Sequence, residues 1–197
     1  MKHSFELSSG ALLVLACVYF FGGITSLVAL LAAIIVHEAG HAAAIIICGG
    51  RVRGVRADSA GLCMSKSGAY GTASEIITLL AGPASGLALA LLCAHIGQKW
   101  SNVLFLRTAG MSLLLTVYNL LPALPLDGGR ALMCALNAVL GAEKAGSIMF
   151  CISLTVGLAL AVMGMCSADT GLGAALIAAG VWVLIAQTGI VKSMRLM

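Results

Sequence analysis

The sequence predicts an all-α polytopic membrane protein with six transmembrane helices, a short β-hairpin or loop after the second helix, and a broken fourth helix. Of its 197 residues, 61% are hydrophobic and 9% are charged, a composition outside the range of soluble domains. Apolar stretches long enough to cross a bilayer recur along the chain, separated by polar or glycine-rich segments. The formal charge of +4 is thinly spread, which argues against a nucleic-acid partner.

The predicted helices all belong to one membrane domain over residues 1–197. They span residues 5–21, 24–48, 75–95, 104–121, 144–166 and 171–191. The basic start of the chain also resembles a signal peptide, but no small-residue cleavage site follows it. Gly22 and Gly23 predict a turn between the first two helices.

The segment after the second helix, residues 49–74, is polar and rich in glycine. Basic residues alternate with small or apolar ones from Arg51 to Arg56, which is typical of a β-strand. One interpretation is a basic cytoplasmic loop. The other is an edge or hairpin in which Arg51, Val52 and Arg53 pair with an extended polypeptide. The two interpretations are compatible.

Two later segments contain residues that disturb a helix. Gly82 and Pro83 interrupt the hydrogen bonding of the third helix, and the small residues after them allow close packing. Residues 122–130 carry two prolines and two glycines, which forbid an ordinary helix. Irregular backbone at membrane depth needs protein or a watery cavity around it. We therefore expect a cavity there, followed by a short amphipathic stretch to about Gly141.

The distribution of basic residues predicts the topology. Under the six-helix prediction, Lys99 and Arg107 fall on one side of the membrane. The other side carries Lys2, Arg51, Arg53, Arg56, Lys66, Arg130, Lys144, Lys192 and Arg195. The positive-inside rule then places both termini in the cytoplasm.

A His-Glu-x-x-His motif, His37-Glu38-Ala39-Gly40-His41, lies inside the second predicted helix. Residues i and i+4 of an α-helix share a face, so the two imidazoles can bind one metal ion. Glu38 lies about 100° round the helix from His37, which suits a general base better than a third ligand. Ionisable residues inside a bilayer are usually functional. Two histidines satisfied by neighbouring helices are the bland alternative.

A catalytic zinc site needs a third protein ligand. The carboxylate residues are Glu6, Glu38, Asp58, Glu75, Asp127, Glu143 and Asp169. Asp127 alone lies in the broken, glycine-flanked segment, on the same predicted side as the histidine motif. An Asx-type turn before the glycines is its alternative role. His3 and His95 are weaker ligand candidates.

Asn119 lies two turns before Asp127 in the sequence. Its amide suits a substrate backbone or an oxyanion, and equally an interhelical polar contact. The histidine motif together with Asn119-Leu120-Leu121-Pro122-Ala123-Leu124-Pro125-Leu126-Asp127-Gly128-Gly129-Arg130 resembles the site-2 protease family of intramembrane zinc metalloproteases. The short six-helix form, without an inserted PDZ domain, is similar to the stage IV sporulation factor B branch.

The resemblance implies a protease that uses one zinc ion, held by His37, His41 and Asp127, with Glu38 as general base. Its substrate would be a membrane-associated or transmembrane protein, and in the sporulation branch a pro-sigma factor. Asn119 and the strand Arg51-Val52-Arg53 would bind that substrate. Regulatory membrane proteins and oligomerisation fit the same interpretation.

Two departures from the family pattern stand out. Members of the sporulation branch commonly carry a C-terminal nucleotide-sensing CBS domain, whereas this sequence shows none before Met197, which puts ATP regulation in doubt. The family's Gly-Pro-x-x-Asn pattern occurs here as Gly82-Pro83-Ala84-Ser85-Gly86, without the asparagine. The alternative function is a membrane metal transporter or sensor with the same ligands. Transport needs a relay of ligands across the bilayer, and the outer half offers little beyond His95 and Asp169.

Overall fold

The computed structural model describes residues 6–7, 9–58, 61–67, 71–169 and 171–194, with side chains over 15–50, 71–169 and 173–187. Within these residues the chain forms six helices and three strands. In chain order they are β1 (Glu6–Leu7), α1 (Ser9–Ile47), β2 (Arg51–Asp58), β3 (Gly61–Ser67), α2 (Thr72–Lys99), α3 (Val103–Leu120), α4 (Asp127–Leu140), α5 (Ala142–Cys166) and α6 (Gly171–Met194). The chain divides into two compact units, Met1–Asn119 and Leu120–Met197. His3 lies outside the described residues.

Helix α1 covers both of the first two predicted helices as one element with a break. At Gly23 the backbone leaves helical geometry, with φ 70° and ψ −177°. Positive φ is readily adopted only by glycine, which is why the break falls at this residue. Arg107 spans it, since its Nη1 donates to the carbonyl of Gly22 at 3.1 Å and to the hydroxyl of Ser26 at 2.9 Å.

Helices α1 and α2 pack closely because glycine and serine face each other between them. A Cβ at Gly40 would overlap the hydroxyl of Ser85. That hydroxyl donates to the carbonyl of Val36 at 3.0 Å, which binds the two helices together. Helix α2 continues through Pro83, which is buried. The expected interruption is therefore a local loss of one donor within a continuous helix.

The segment after α1 contains a small sheet with strand order β1-β2-β3. Strands β2 and β3 pair antiparallel from Arg51 opposite Ser67 to Asp58 opposite Gly61, with a register shift between Val52 and Gly54. Strand β1 runs parallel to β2 and pairs with Arg56 and Ala57. The alternating sequence of β2 thus forms an extended strand directly after the helix that carries the histidine motif.

In the second unit, α5 and α6 pack along glycines. A Cβ at Gly157 would lie 2.8 Å from Leu184, and one at Gly164 would lie 2.7 Å from Ile177. Gly164 comes after Gly157 in α5, whereas Ile177 comes before Leu184 in α6, so the two helices run antiparallel. Both glycines therefore serve packing inside the chain. The predicted amphipathic stretch before Gly141 forms α4.

Four helical segments of the described chain are long and apolar enough to cross a membrane, namely Leu15–Ile47, Thr72–Lys99, Val103–Leu120 and Ala142–Cys166. A shorter apolar segment, Gly173–Gln187, lies in α6. Large apolar side chains on these helices point outwards; Phe20 and Phe21, for example, are 82% and 85% exposed. Spanning helices with apolar outer surfaces are typical of an integral membrane protein, because these surfaces face lipid and not water.

Candidate metal centre

The two histidines of α1 meet at their Nε2 atoms. His37 is 3% exposed and His41 is half-buried. Their Nε2 atoms lie 3.2 Å apart, and the ring planes are inclined at 79°. Two imidazole nitrogens bound at about 2.0–2.1 Å to one tetrahedral zinc ion lie roughly 3.3 Å apart. The pair therefore fits a shared zinc ion, as the i, i+4 spacing predicts.

The His41 ring is oriented by helix α2. Its Nδ1 lies 2.7 Å from the carbonyl oxygen of Thr78, to which it donates in the tautomer that leaves Nε2 available. The Thr78 hydroxyl donates to the carbonyl of Glu75 at 2.8 Å, so its own polar groups are also engaged. A backbone carbonyl on the second nitrogen is the usual partner of a metal-binding histidine.

Gly82 makes room for the same ring. A Cβ at this position would overlap the imidazole of His41. Glycine at residue 82 is thus required by the position of a ligand candidate as well as by helix packing. The sequence singled out Gly82 as a disturbance of the helix, but its contact with His41 follows only from how α1 and α2 pack.

Glu38 follows His37 on α1 and is half-buried. It lies next to His37 in the sequence and therefore about 100° round the helix from it. It is thus not on the face of α1 that carries the two imidazoles. Its carboxylate is the acidic side chain that the motif itself supplies. A group in this position can accept and return a proton during hydrolysis.

Asp127 lies at the start of a helix, which differs from the expectation that it sits within the broken segment. The irregular backbone covers residues 121–126, and α4 begins at Asp127 with Leu126 at its N-cap and no side-chain cap. The half-buried carboxylate therefore stands in the first turn of α4. The carboxylate is therefore close to the positive end of the helix dipole.

The residues on both sides of Asp127 hold it in place. A Cβ at Gly129 would overlap the backbone of Ala123, so the two glycines let α4 begin close against the preceding loop. The hydroxyl of Ser153, which is fully buried, accepts a hydrogen bond from the N–H of Leu124 at 2.9 Å. Nothing in the sequence singled out Ser153, because a serine within an apolar helix gives no local sign of its partner.

The other candidate residues are distributed more widely. Asn119 is half-buried on α3, and its Nδ2 donates to the carbonyl of Leu115 in its own helix at 3.0 Å. Arg51, Val52 and Arg53 begin β2, where the structure describes the backbone. His95 is exposed on α2. A substrate-binding role for Asn119 and the β2 residues stays a prediction.

Two family models match the chain. One, Peptidase M50B-like, matches residues 10–125, and the other, Peptidase family M50, matches residues 94–164. The chain belongs to the M50 peptidase family. This agrees with the resemblance to site-2 proteases seen in the sequence.

Relatives of this M50 chain include Rip3 of Mycobacterium tuberculosis, in strains Erdman and H37Rv, whose name describes a zinc metalloprotease. Each is 32% identical over 169 residues, covering 76% of this chain and 42% of the relative. The M50 chain thus spans less than half the length of these relatives. The Site-2 Protease from Methanocaldococcus jannaschii has a similar structure, with a TM-score of 0.70, 21% identity, and coverage of 89% of this chain and 83% of that one. That likeness shows a shared fold.

Proposed function

We propose that the chain is an intramembrane zinc metalloprotease that cleaves a membrane-associated or transmembrane protein. The observation that carries this proposal is the 3.2 Å separation of the His37 and His41 Nε2 atoms, with the His41 Nδ1 held by Thr78. Two imidazoles oriented in this way form most of a zinc ligand set. Because the chain belongs to a peptidase family, the reaction proposed for this metal site is hydrolysis of a peptide bond.

Asp127 is the third ligand in this proposal. Catalytic zinc sites have three protein ligands and keep one position open, and two histidines with a carboxylate form one such ligand set. Asp127 supports this role because it is half-buried in the first turn of α4 and its backbone is held on both sides. An aspartate that served only an N-terminal turn would cap the helix, whereas here Leu126 occupies the N-cap.

The mechanism assigns the proton transfers to Glu38. A zinc ion held by His37, His41 and Asp127 would act as a Lewis acid, polarising the scissile carbonyl and lowering the pKa of a water molecule. Glu38 accepts the proton of that water and later gives it to the leaving amine, so one carboxylate serves as base and then as acid. The burial of the His37 ring keeps bulk water away from it, which strengthens electrostatic contacts there.

The substrate must present an extended backbone, because a helix keeps its carbonyls in hydrogen bonds. Strand β1 covers β2 only at Arg56 and Ala57, so among the described residues no strand pairs with that edge of β2 at Arg51, Val52 and Arg53. An incoming strand can add to this edge through main-chain hydrogen bonds. The β2 residues then bind substrate by backbone pairing, and Asn119 offers an amide for the same purpose.

A proline at Val52 or at Val55 tests this pairing, because proline removes a backbone N–H. Cleavage is expected to fall in at least one of the two variants while zinc content stays unchanged. Val52→Thr and Val55→Thr, which keep the N–H, are the matched controls and should cleave normally. Wild-type cleavage rates in both proline variants would show that β2 does not pair with substrate.

The proposed topology has six crossings and cytoplasmic termini. The break at Gly23 divides α1 into two helical segments, and the 24 residues of α6 measure about 36 Å, enough to cross a bilayer. The excess of basic residues on one side supports the orientation. Alkaline phosphatase fused after Met197 is expected to be inactive, and activity there would reverse the orientation.

Zinc-dependent cleavage tests the proposed function itself. The purified protein is reconstituted with membrane-tethered reporters, one of them carrying the pro-segment of a sigma factor. Cleavage should stop when a chelator removes the metal and return when zinc is added. Failure to cut any tethered reporter, together with zinc flux into vesicles, would favour the transporter alternative. The pro-sigma-factor substrate rests on the sequence resemblance, and the reporter comparison decides it.

A further inference from the structure

A group of polar side chains lies around Gly86, where α1, α2 and α3 meet. A Cβ at Gly86 would lie 2.5 Å from the Oγ1 of Thr116, 3.7 Å from the Nδ1 of His37 and 3.7 Å from the Oγ of Ser112. The Ser112 hydroxyl donates to the carbonyl of Gly86 at 2.8 Å. Polar atoms from α1 and α3 therefore lie around Gly86 of α2, where a Cβ would overlap the hydroxyl of Thr116. Because residue 86 is glycine, no side chain separates the Oγ1 of Thr116 from the Nδ1 of His37.

Thr116 is the unexplained member of this group. It is 2% exposed, and its hydroxyl has no hydrogen-bond partner among the residues that the structure describes. Burying a hydroxyl without a partner is unfavourable, and inside a bilayer no bulk water relieves it. Thr108, two turns earlier on α3, is also buried, but its hydroxyl donates to the carbonyl of Leu104 at 2.9 Å. The comparison indicates that the hydroxyl of Thr116 binds a group outside its own helix.

We propose that Thr116 is a positioning residue for His37, acting through one water molecule held between the Oγ1 of Thr116 and the Nδ1 of His37, beside Gly86. The water accepts the Nδ1–H of His37 and donates to the Oγ1 of Thr116. A buried water needs two to four polar partners, and His37, Ser112 and Thr116 all have polar atoms near Gly86. The inference rests on the proposed function, in which the Nε2 of His37 binds zinc.

The chemistry parallels that of the second histidine. A neutral imidazole that binds a metal through Nε2 carries its proton on Nδ1, so an acceptor at Nδ1 sets both the tautomer and the ring orientation. For His41 the acceptor is the carbonyl of Thr78 on α2. For His37 it is the water supported by Thr116 on α3. The two rings are thereby oriented from two different helices.

Zinc affinity of the purified protein, measured by competition with a chelator, tests the proposal without any need for activity. Thr116→Val keeps the shape of the side chain and removes the hydroxyl, and we expect zinc affinity to fall by about 10–100-fold. Thr116→Ser keeps the hydroxyl and should bind zinc within about threefold of wild type. Thr108→Val, the matched control on the same helix, should bind zinc like wild type.

The outcomes separate this inference from the function on which it rests. The thermal unfolding of each variant is measured as well. If the hydroxyl of Thr116 has no role, its replacement by valine should not lower the stability of the protein. Unchanged zinc affinity in Thr116→Val would overturn the positioning role while the zinc site stands. A wild-type protein that binds no zinc would instead overturn the proposed function. An equal loss of affinity in Thr116→Ser would also overturn the proposal, because the hydroxyl is retained in that variant.

Discussion

Replacement of Glu38 by glutamine is expected to abolish cleavage while the protein still binds one zinc ion. Glutamine has the shape of glutamate but cannot accept the proton of the attacking water. General base catalysis typically contributes about 10²–10⁴-fold to a rate, and the cleavage rate should fall by that factor. The measurement is turnover of a membrane-tethered reporter by the purified protein, with bound zinc determined in the same samples.

Glu143→Gln is the matched control for this experiment. Glu143 is exposed in the first turn of α5, so the same change of charge there should leave cleavage unaffected. Retained cleavage in Glu38→Gln would mean that another group takes the proton, and the assignment of the base would be wrong. Loss of zinc together with cleavage would instead make Glu38 a ligand.

Replacement of Asp127 by asparagine is expected to remove zinc together with activity. The neutral amide lacks the charge that binds a divalent cation, and it cannot act as a carboxylate ligand. Because partners that merely orient ligands contribute about 10–100-fold to metal affinity, a ligand itself should contribute more than about 100-fold. Chelator competition gives the affinity, and the reporter assay at saturating zinc gives the remaining activity.

Asp169→Asn provides the comparison, since Asp169 is an exposed aspartate after α5. It should bind zinc and cleave like wild type. Wild-type zinc affinity in Asp127→Asn would exclude Asp127 as a ligand and return it to the role of a turn residue. Normal zinc affinity with lost cleavage would place it at the substrate.

Local spacing made the centre of this site predictable. The i, i+4 relation of His37 and His41 follows from the helical repeat, so their shared face could be inferred without any tertiary contact. The apolar segments were equally visible, and the predicted bounds of the third to sixth helices lie within a few residues of α2, α3, α5 and α6. The start of α4 was not predicted, because glycines such as Gly128 and Gly129 disfavour a helix. In the structure they lie in the first turn of α4 and allow this helix to pack closely against the preceding loop.

The partners of the site residues were not predictable. A spanning helix is apolar on all sides, so its sequence does not tell which face meets a neighbouring helix and which meets lipid. The carbonyl of Thr78 on His41 and the hydroxyl of Ser153 at Leu124 are contacts between segments far apart in the chain. Gly86 was visible in the sequence only as a missing asparagine, and its position beside His37 and Thr116 depends on the packing of three helices.

The sequence by itself determined that this protein lives in a membrane and that two histidines and a glutamate share one turn of a helix. The first conclusion follows from the amino-acid composition. The second follows from the geometry of the α-helix, which fixes the relative positions of residues that are close in the sequence. Only the tertiary structure decided which groups orient each histidine ring, where the helix carrying Asp127 begins, and which hydroxyl is left without a partner. Those outcomes depend on how closely helices approach, and small residues set that distance only after the helices have found their neighbours.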